Sequence, residues 1–286
     1  MEQKELLFPQ LSSLPEGATG GFLLSDSLND DEKYQHLKVF FEFIDKNYSH
    51  SHSLLMLKEQ IQFEKGSIEP TQILLENGYT WLNNTPTKFH CTHYLKLEMP
   101  FEEKVWDGIW SKKMRRNIRH VRKTGFHVVI DDKFEYFDDF VDMQIQMVKK
   151  FGVALNKDDL YQILKVFQNK VKLFIGLVDS QPISSQLCYF TPTTVYLSKG
   201  PYLPAAREYR NGELPSCAAI KYACENGYKY VEFGVSTSPD LIVYKEKFGA
   251  TTVPMRMYTK NFSHFKVITN KSYQYLTWGI KKILVK

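Results

Sequence analysis

The sequence predicts a mixed α/β (α+β) protein made of two halves with similar element order, and three observations carry that prediction. Residues 214–258 read as helix, strand, helix and strand, each with its own start and stop signal. Residues 172–199 read as three consecutive strands joined by tight turns. Helices also alternate with strands over the first 130 or so residues, as one α/β domain requires. The apolar share of 43% is enough to bury real cores, so wholesale disorder is not expected.

In chain order, residues 1–20 are rich in Pro, Ser and Gly and predict a loosely attached lead-in. Phe22–Ser25 is a short apolar run with strand character. From Tyr34 to Tyr48, Leu37, Phe40, Phe41 and Ile44 share one helical face. Leu54–Leu57 and Ile61–Phe63 alternate as half-buried strands. Pro70 to Gly78 predicts a short helix ended by Asn77-Gly78. Tyr79–Leu82 and His93–Leu97 follow as strands around a polar loop at 83–88. Glu102–Trp110 and Lys113–Lys123 read as helices and His127–Ile130 as a strand.

The second half begins with helices over Phe137–Phe151 and Leu160–Gln168. Strands at Lys172–Val178, Ile183–Phe190 and Thr194–Lys199 are separated by turns at Asp179-Ser-Gln-Pro182 and Thr191-Pro192. Pro215 suits a first helical turn, and Asn226-Gly227 closes that helix. Tyr228–Phe233 alternates as a strand. Ser238-Pro239-Asp240 starts another helix with an acceptor side chain, a pre-set φ and a carboxylate at the positive end of the dipole. Gly249 stops it, one turn past Lys245.

Two motifs connect this pattern to a family. Gly227-x-x-x-x-x-Phe233-Gly234 followed by Tyr244-Lys245-x-x-Phe248-Gly249 resembles the C-terminal signature of the Fem-type (FemABX-like) aminoacyltransferases, relatives of the GNAT acyltransferases. Lys113-x-Arg115-x-x-Ile118-Arg119, within Ser111–Gly125, resembles the basic helix that closes the first domain of that family. The resemblance implies two tandem GNAT-like domains, each a mixed, mostly antiparallel sheet flanked by helices. They would span 1–133 and 134–263, with 264–286 returning to the first. It implies aminoacyl transfer, from aminoacyl-tRNA, onto an amine of a cell-envelope (peptidoglycan-type) precursor or peptide.

Lys245 is the leading catalytic candidate. A fixed cation aimed at the oxyanion of a tetrahedral intermediate lowers a barrier by about 3–4 kcal/mol. The alternative is an exposed helix lysine. The acceptor amine needs a base, and Glu232 and Tyr196 are candidates, although both residue types are ordinary in strands. The resemblance further implies substrate contacts by Lys199, Tyr244 and Phe233. Arg207-Glu-Tyr-Arg210-Asn-Gly212 stands where a GNAT enzyme would cradle the pyrophosphate of acetyl-CoA. An arginine replaces the middle glycine of that pattern, which favours a donor other than CoA. An acyl-CoA N-acyltransferase acting on an amino sugar or other small-molecule amine is the alternative.

Residues 112–123 hold seven Lys and Arg side chains and no acid. Arg115, Arg116, Arg119 and Arg122 share a face that either is simply solvated or binds phosphate-type anions. The second use leaves a third possibility, a non-catalytic tandem-GNAT module for nucleic acid or anionic lipid. Net charge +5 permits such partners without requiring them. The segment 275–286 either packs on the first domain or touches a membrane surface.

Several features are not found in the sequence. No apolar run spans a bilayer, the first residues lack the basic-then-apolar order of a secretory signal, and the four cysteines show no paired spacing. A cytoplasmic protein with reduced thiols is therefore expected. His50, His52, His90 and His93 lack the partner spacing of a metal site, so neither metal nor bound cofactor is expected. The early Ser/Gln-aromatic-Trp segment of the Fem-type enzymes is missing from residues 1–60, as is a long paired-helix arm between the halves.

Overall fold

The computed structural model describes residues 10–12, 27–59, 71–81, 91–150, 155–209, 213–236, 238–254, 256–270 and 272–273. Contacts divide the chain into two units, one of residues 1–91 with 254–286 and one of 92–253.

In the first unit, a four-stranded sheet has the order β1 (Gln10–Ser12), β2 (Leu54–Glu59), β11 (Arg256–Asn261), β3 (Thr80–Trp81). β1 runs parallel to β2, and β11 pairs antiparallel with both β2 and β3. The helix α1 (Asp30–Tyr48) starts at Asn29, which exchanges two hydrogen bonds with Glu32 in a capping box. Leu37 and Phe41 of α1 pack with Ile73 and Leu74 of α2 (Thr71–Glu76), Leu55, Leu57, Tyr79 and Tyr258. Phe40, expected on the same buried face, is 41% exposed and sits at the edge of the Leu37–Phe41 stripe.

The second unit holds a seven-stranded, mostly antiparallel sheet flanked by helices. Its order is β10 (Thr251–Pro254), β4 (Cys91–Lys96), β9 (Tyr230–Glu232), β8 (Thr194–Lys199), β7 (Gln181–Phe190), β6 (Val171–Val178), β5 (His127–Asp131). Alternation along β6 sorts its side chains between two cores. Leu173, Ile175 and Leu177 meet α4 (Phe137–Lys149) and α5 (Lys157–Phe167) through Phe137, Phe140 and Leu160. Phe174 faces the other way, toward Met114, Ile118 and Val121 of α3 (Lys112–Arg122) and Leu214, Cys217 and Ile220 of α6 (Glu213–Glu225). The β6–β7 hairpin turns on Asp179 and Ser180, at φ +47° and +64°, the backbone that matches the twist of the flanking strands. The helix α6 is the crossover that two parallel neighbours need, carrying the chain from β8 to β9.

Three expectations are corrected. The domain boundary expected at 133/134 falls at 91/92. β4 pairs with β9, β5 pairs with β6 and α3 packs in the core of the second sheet, so the basic helix belongs to that unit. The chain also returns to the first unit earlier than residue 264, because β11 is already paired between β2 and β3. The lead-in expected over 1–20 contains the ordered strand β1. Residues 264–270 are helical and belong to the first unit, where Asn270 donates to Ser53 (3.1 Å). The expected strands Phe22–Ser25 and Ile61–Phe63, the loop at 83–88 and the segment 275–286 lie outside the described residues.

Candidate active site

Glu232 is the last residue of β9 and is 1% exposed. The parallel ladder of β8 with β9 pairs Thr194 with Tyr230, Val195 with Val231 and Tyr196 with Glu232, and ends there, although β8 continues to Lys199. On its other side, Glu232 pairs with Tyr94 of β4. Paired residues project from the same face, so the Glu232 carboxyl lies between the side chains of Tyr94 and Tyr196. One carboxyl oxygen accepts from Thr92 Oγ1 at 2.9 Å. The structure therefore brings two of the expected catalytic residues, Glu232 and Tyr196, together.

Beyond Glu232 the chain leaves the sheet, turns through Gly234 at φ +69° and enters α7 (Pro239–Glu246). Ser238 caps α7, its Oγ accepting from Leu241 N. Lys245, 6% exposed, reaches back from α7 to this loop, and its Nζ donates to the carbonyls of Gly234 (2.7 Å) and Val235 (2.9 Å). The ammonium is a tie across the loop rather than an exposed helix charge. The rest of its motif is structural too. Phe248 is fully buried against Trp110, Phe233 and Tyr244, and its carbonyl accepts from Trp110 Nε1 at 3.1 Å. Gly249 has φ +81°, and a Cβ there would stand 2.0 Å from Ile109 Cγ2, so only glycine fits.

The loop is held from the sheet side by His93 of β4, which is fully buried. Its Nε2 lies 2.7 Å from Ser236 Oγ, its Nδ1 lies 3.1 Å from Thr252 Oγ1, and its carbonyl accepts from Phe233 N at 2.9 Å. Thr252 Oγ1 also donates to Glu246 Oε1 at 2.9 Å. Burial, reinforced by the nearby charge of Lys245 and partly offset by Glu246, pulls the His93 pKa down to about 4.

A second polar group lies under the same helix pair. Gln186 of β7 accepts from Ser216 Oγ of α6 at 3.1 Å, and Ser216 is hydrogen-bonded to Tyr244. Burial pushes the Tyr244 phenol well up, an effect the Ser216 bond opposes. Gln186 Nε2 also donates to the Lys199 carbonyl (3.4 Å). Lys199 is half-buried, which lowers the pKa of its ammonium. Phe233 is buried in the aromatic cluster, Arg207 is exposed in a short 3₁₀ turn, and Arg210 lies outside the described residues.

Comparison with known proteins bears on the fold and on the segment that carries β5 to β9. Residues 111–246 match the family model described as an acetyltransferase (GNAT) domain. That segment, a little under half of the chain, is similar to a GNAT acetyltransferase domain. No curated protein sequence matches the chain. Among solved structures, FemX is similar over 89% of this chain and 80% of its own, with 12% identity and a TM-score of 0.68. L-PGS from Bacillus licheniformis matches over 84% and 77%, with 11% identity and a TM-score of 0.56. A tandem GNAT protein from the clavulanic acid biosynthesis pathway matches over 79% and 70%, with 10% identity and a TM-score of 0.50. These likenesses establish the fold, which is that of GNAT and tandem GNAT proteins.

Several residues around Glu232 and the β9–α7 loop were not singled out from sequence as site residues: Thr92, His93, Ser236, Thr252, Gln186 and Ser216. The only local signal was polar residues at positions where a strand or a first helical turn should be apolar. Thr92, His93 and Thr252 also fall outside the matched segment 111–246. Among the described residues, no helix is long and apolar enough to cross a membrane.

The basic helix α3 divides its arginines. Met114, Ile118 and Val121 are buried, as expected. Arg115 is committed to the protein: its guanidinium donates to the carbonyls of Trp106 and Asp107 (both 2.9 Å) and pairs with the Asp107 carboxylate at 3.0 Å. Arg116, Arg119 and Arg122 are exposed, and the last two lie over the Trp106 ring at 5.4 and 5.7 Å. Arg115→Ala is expected to cost about 1–3 kcal/mol by leaving two carbonyls without their partner, whereas Arg116→Ala should stay within about 0.5 kcal/mol. Urea unfolding of the two variants checks this. Equal losses would mean that the guanidinium of Arg115 secures nothing.

Proposed function

We propose that the protein transfers an aminoacyl group, from aminoacyl-tRNA, to an amine on a cell-envelope precursor or peptide in the cytoplasm. The observation that carries this reading is the buried Glu232 carboxylate, held by Thr92 and paired with Tyr196 at the last step of the β8–β9 ladder. A carboxylate at that point can take a proton from an attacking amine. In this reading the amine nitrogen bonds to the carbonyl carbon of the donor ester, and its proton passes to Glu232. The tetrahedral intermediate then collapses: the C–O bond breaks and the departing ribose oxygen takes up the proton.

Lys245 contributes through the loop. The carbonyls it binds belong to the peptide groups whose N–H groups are those of Val235 and Ser236. A cation on the oxygen of a peptide group strengthens its N–H as a donor, which suits stabilisation of an oxyanion. Exposed Arg116, Arg119 and Arg122 suit the phosphates of a tRNA or of a nucleotide-linked precursor.

The alternative keeps the chemistry and changes the donor to acyl-CoA. The acetyltransferase description of the matched segment favours it. One assay separates the donors. The purified protein is given labelled aminoacyl-tRNA or acetyl-CoA, with and without a crude extract of envelope precursors. Acceptor-dependent loss of label from the tRNA is expected, with Glu232→Gln about 100-fold slower or worse. Loss from acetyl-CoA alone would replace the donor. Consumption of neither would leave a binding module and overturn the reading.

A further inference from the structure

We infer that His93 is a positioning residue for acyl transfer, a neutral imidazole protonated on Nδ1 that pins the β9–α7 loop through Ser236 while Lys245 pins it through Gly234 and Val235. The inference rests on the proposed role of Glu232, the residue from which that loop departs. It concerns a strand that lies before the matched GNAT segment in the sequence.

The proton order follows from the partners. Glu246 is a carboxylate and can only accept, so the Thr252 hydroxyl spends its hydrogen on Oε1. Thr252 Oγ1 can then only receive from His93, which places the imidazole hydrogen on Nδ1. Nε2 is left as an acceptor, and Ser236 Oγ donates to it at 2.7 Å. Each step is fixed by the one before it, starting from a charge near the surface and ending in a fully buried serine.

Geometry gives that order a purpose. The loop after Glu232 starts at Gly234 with positive φ and is not part of a sheet ladder at 233–235, so side chains must hold it. Two elements do so from different directions. α7 contributes Lys245, and β4 contributes the His93 ring together with its carbonyl on Phe233 N. Thr92, next to His93, fixes one oxygen of Glu232. A protonated imidazole would stand beside the Lys245 ammonium in a buried setting and would reverse the Ser236 hydrogen bond, with Nε2–H donating to Oγ. The arrangement therefore requires the neutral ring.

The test uses the full chain and two readouts that need no substrate. In ¹⁵N spectra of the wild-type protein near neutral pH, His93 should show a protonated Nδ1 and a bare Nε2. Amide exchange at residues 233–236 should quicken about tenfold or more in His93→Leu, while β6 and β7 keep their protection. With the donor identified by the transfer assay, kcat should fall about 10-fold to 100-fold at nearly constant KM. His93→Gln, whose amide can both accept and donate, should recover much of that loss. If His93→Leu does not fold, Ser236→Ala removes the hydroxyl alone and carries the same exchange prediction. An Nε2–H tautomer, or unchanged exchange at 233–236, overturns the inference even in an active enzyme. A wild-type protein inactive with both donors strikes at the proposed function instead and leaves these two readouts standing.

Discussion

Lys245→Met is expected to reduce acyl transfer by at least about 100-fold and to destabilise the second unit by a few kcal/mol at once. The two effects share one cause. The methionine fills the space of the lysine stem but leaves the carbonyls of Gly234 and Val235 without their donor, at about 1–3 kcal/mol each. Loss of one preorganised donor set in an oxyanion site typically costs roughly 10²–10³ in rate. Lys245→Arg keeps the charge on a broader, planar head, so it should fold better than the methionine variant and still transfer slowly. Turnover and urea unfolding measured on the same preparations check both parts. A methionine variant with wild-type turnover would remove Lys245 from the site altogether.

Phe248→Ala carries the largest expected effect on stability. The ring is fully buried and meets Trp110, Phe233 and Tyr244 at centroid distances of 6.3, 5.5 and 5.3 Å. Emptying such a site costs about 3–5 kcal/mol, the transfer free energy plus the cavity left behind. In a unit of this size, each kcal/mol moves the melting temperature by roughly 2–4 °C, so a fall of about 10 °C is expected by calorimetry. Phe248→Leu should lose less than half of that. A melting temperature within 2–3 °C (about 1 kcal/mol) of wild type would show that the aromatic cluster does not hold α7 in place.

What the sequence made legible was local. Glycines 78, 227 and 249 each stop a helix with positive φ where a stop was expected, and Ser238 caps α7. Asp179-Ser180 makes the expected turn between β6 and β7. The Tyr244–Gly249 motif marked the right helix, but it could not say that Lys245 turns inward to two carbonyls. That depends on a loop ten residues away in sequence being folded beside it.

Pairing partners were not legible, for a physical reason. Alternation of apolar and polar side chains reports which face of a strand is buried and says nothing of which strand lies alongside. β4 therefore read as a strand of the first half, whereas it lies between β9 and β10 of the second sheet. The same limit hid Thr92 and His93, whose partners Glu232 and Ser236 stand 140 and 143 residues away. Arg115 shows a milder form. Periodicity put it on the polar face of α3 with its neighbours, yet the end of the preceding helical segment, Glu102–Asp107, presents two carbonyls and a carboxylate within its reach.

The place of β4 also bears on how the chain can be cut. A fragment trimmed to 111–246 would strip one flank of β9 and leave the bared strand Tyr230–Glu232 with its amides and carbonyls open to any neighbouring molecule. Such raw edges invite intermolecular strand addition. A workable truncation has to begin upstream of Cys91 and retain the residues through Pro254, because the smallest piece with a finished sheet is longer than the stretch that matches the family model.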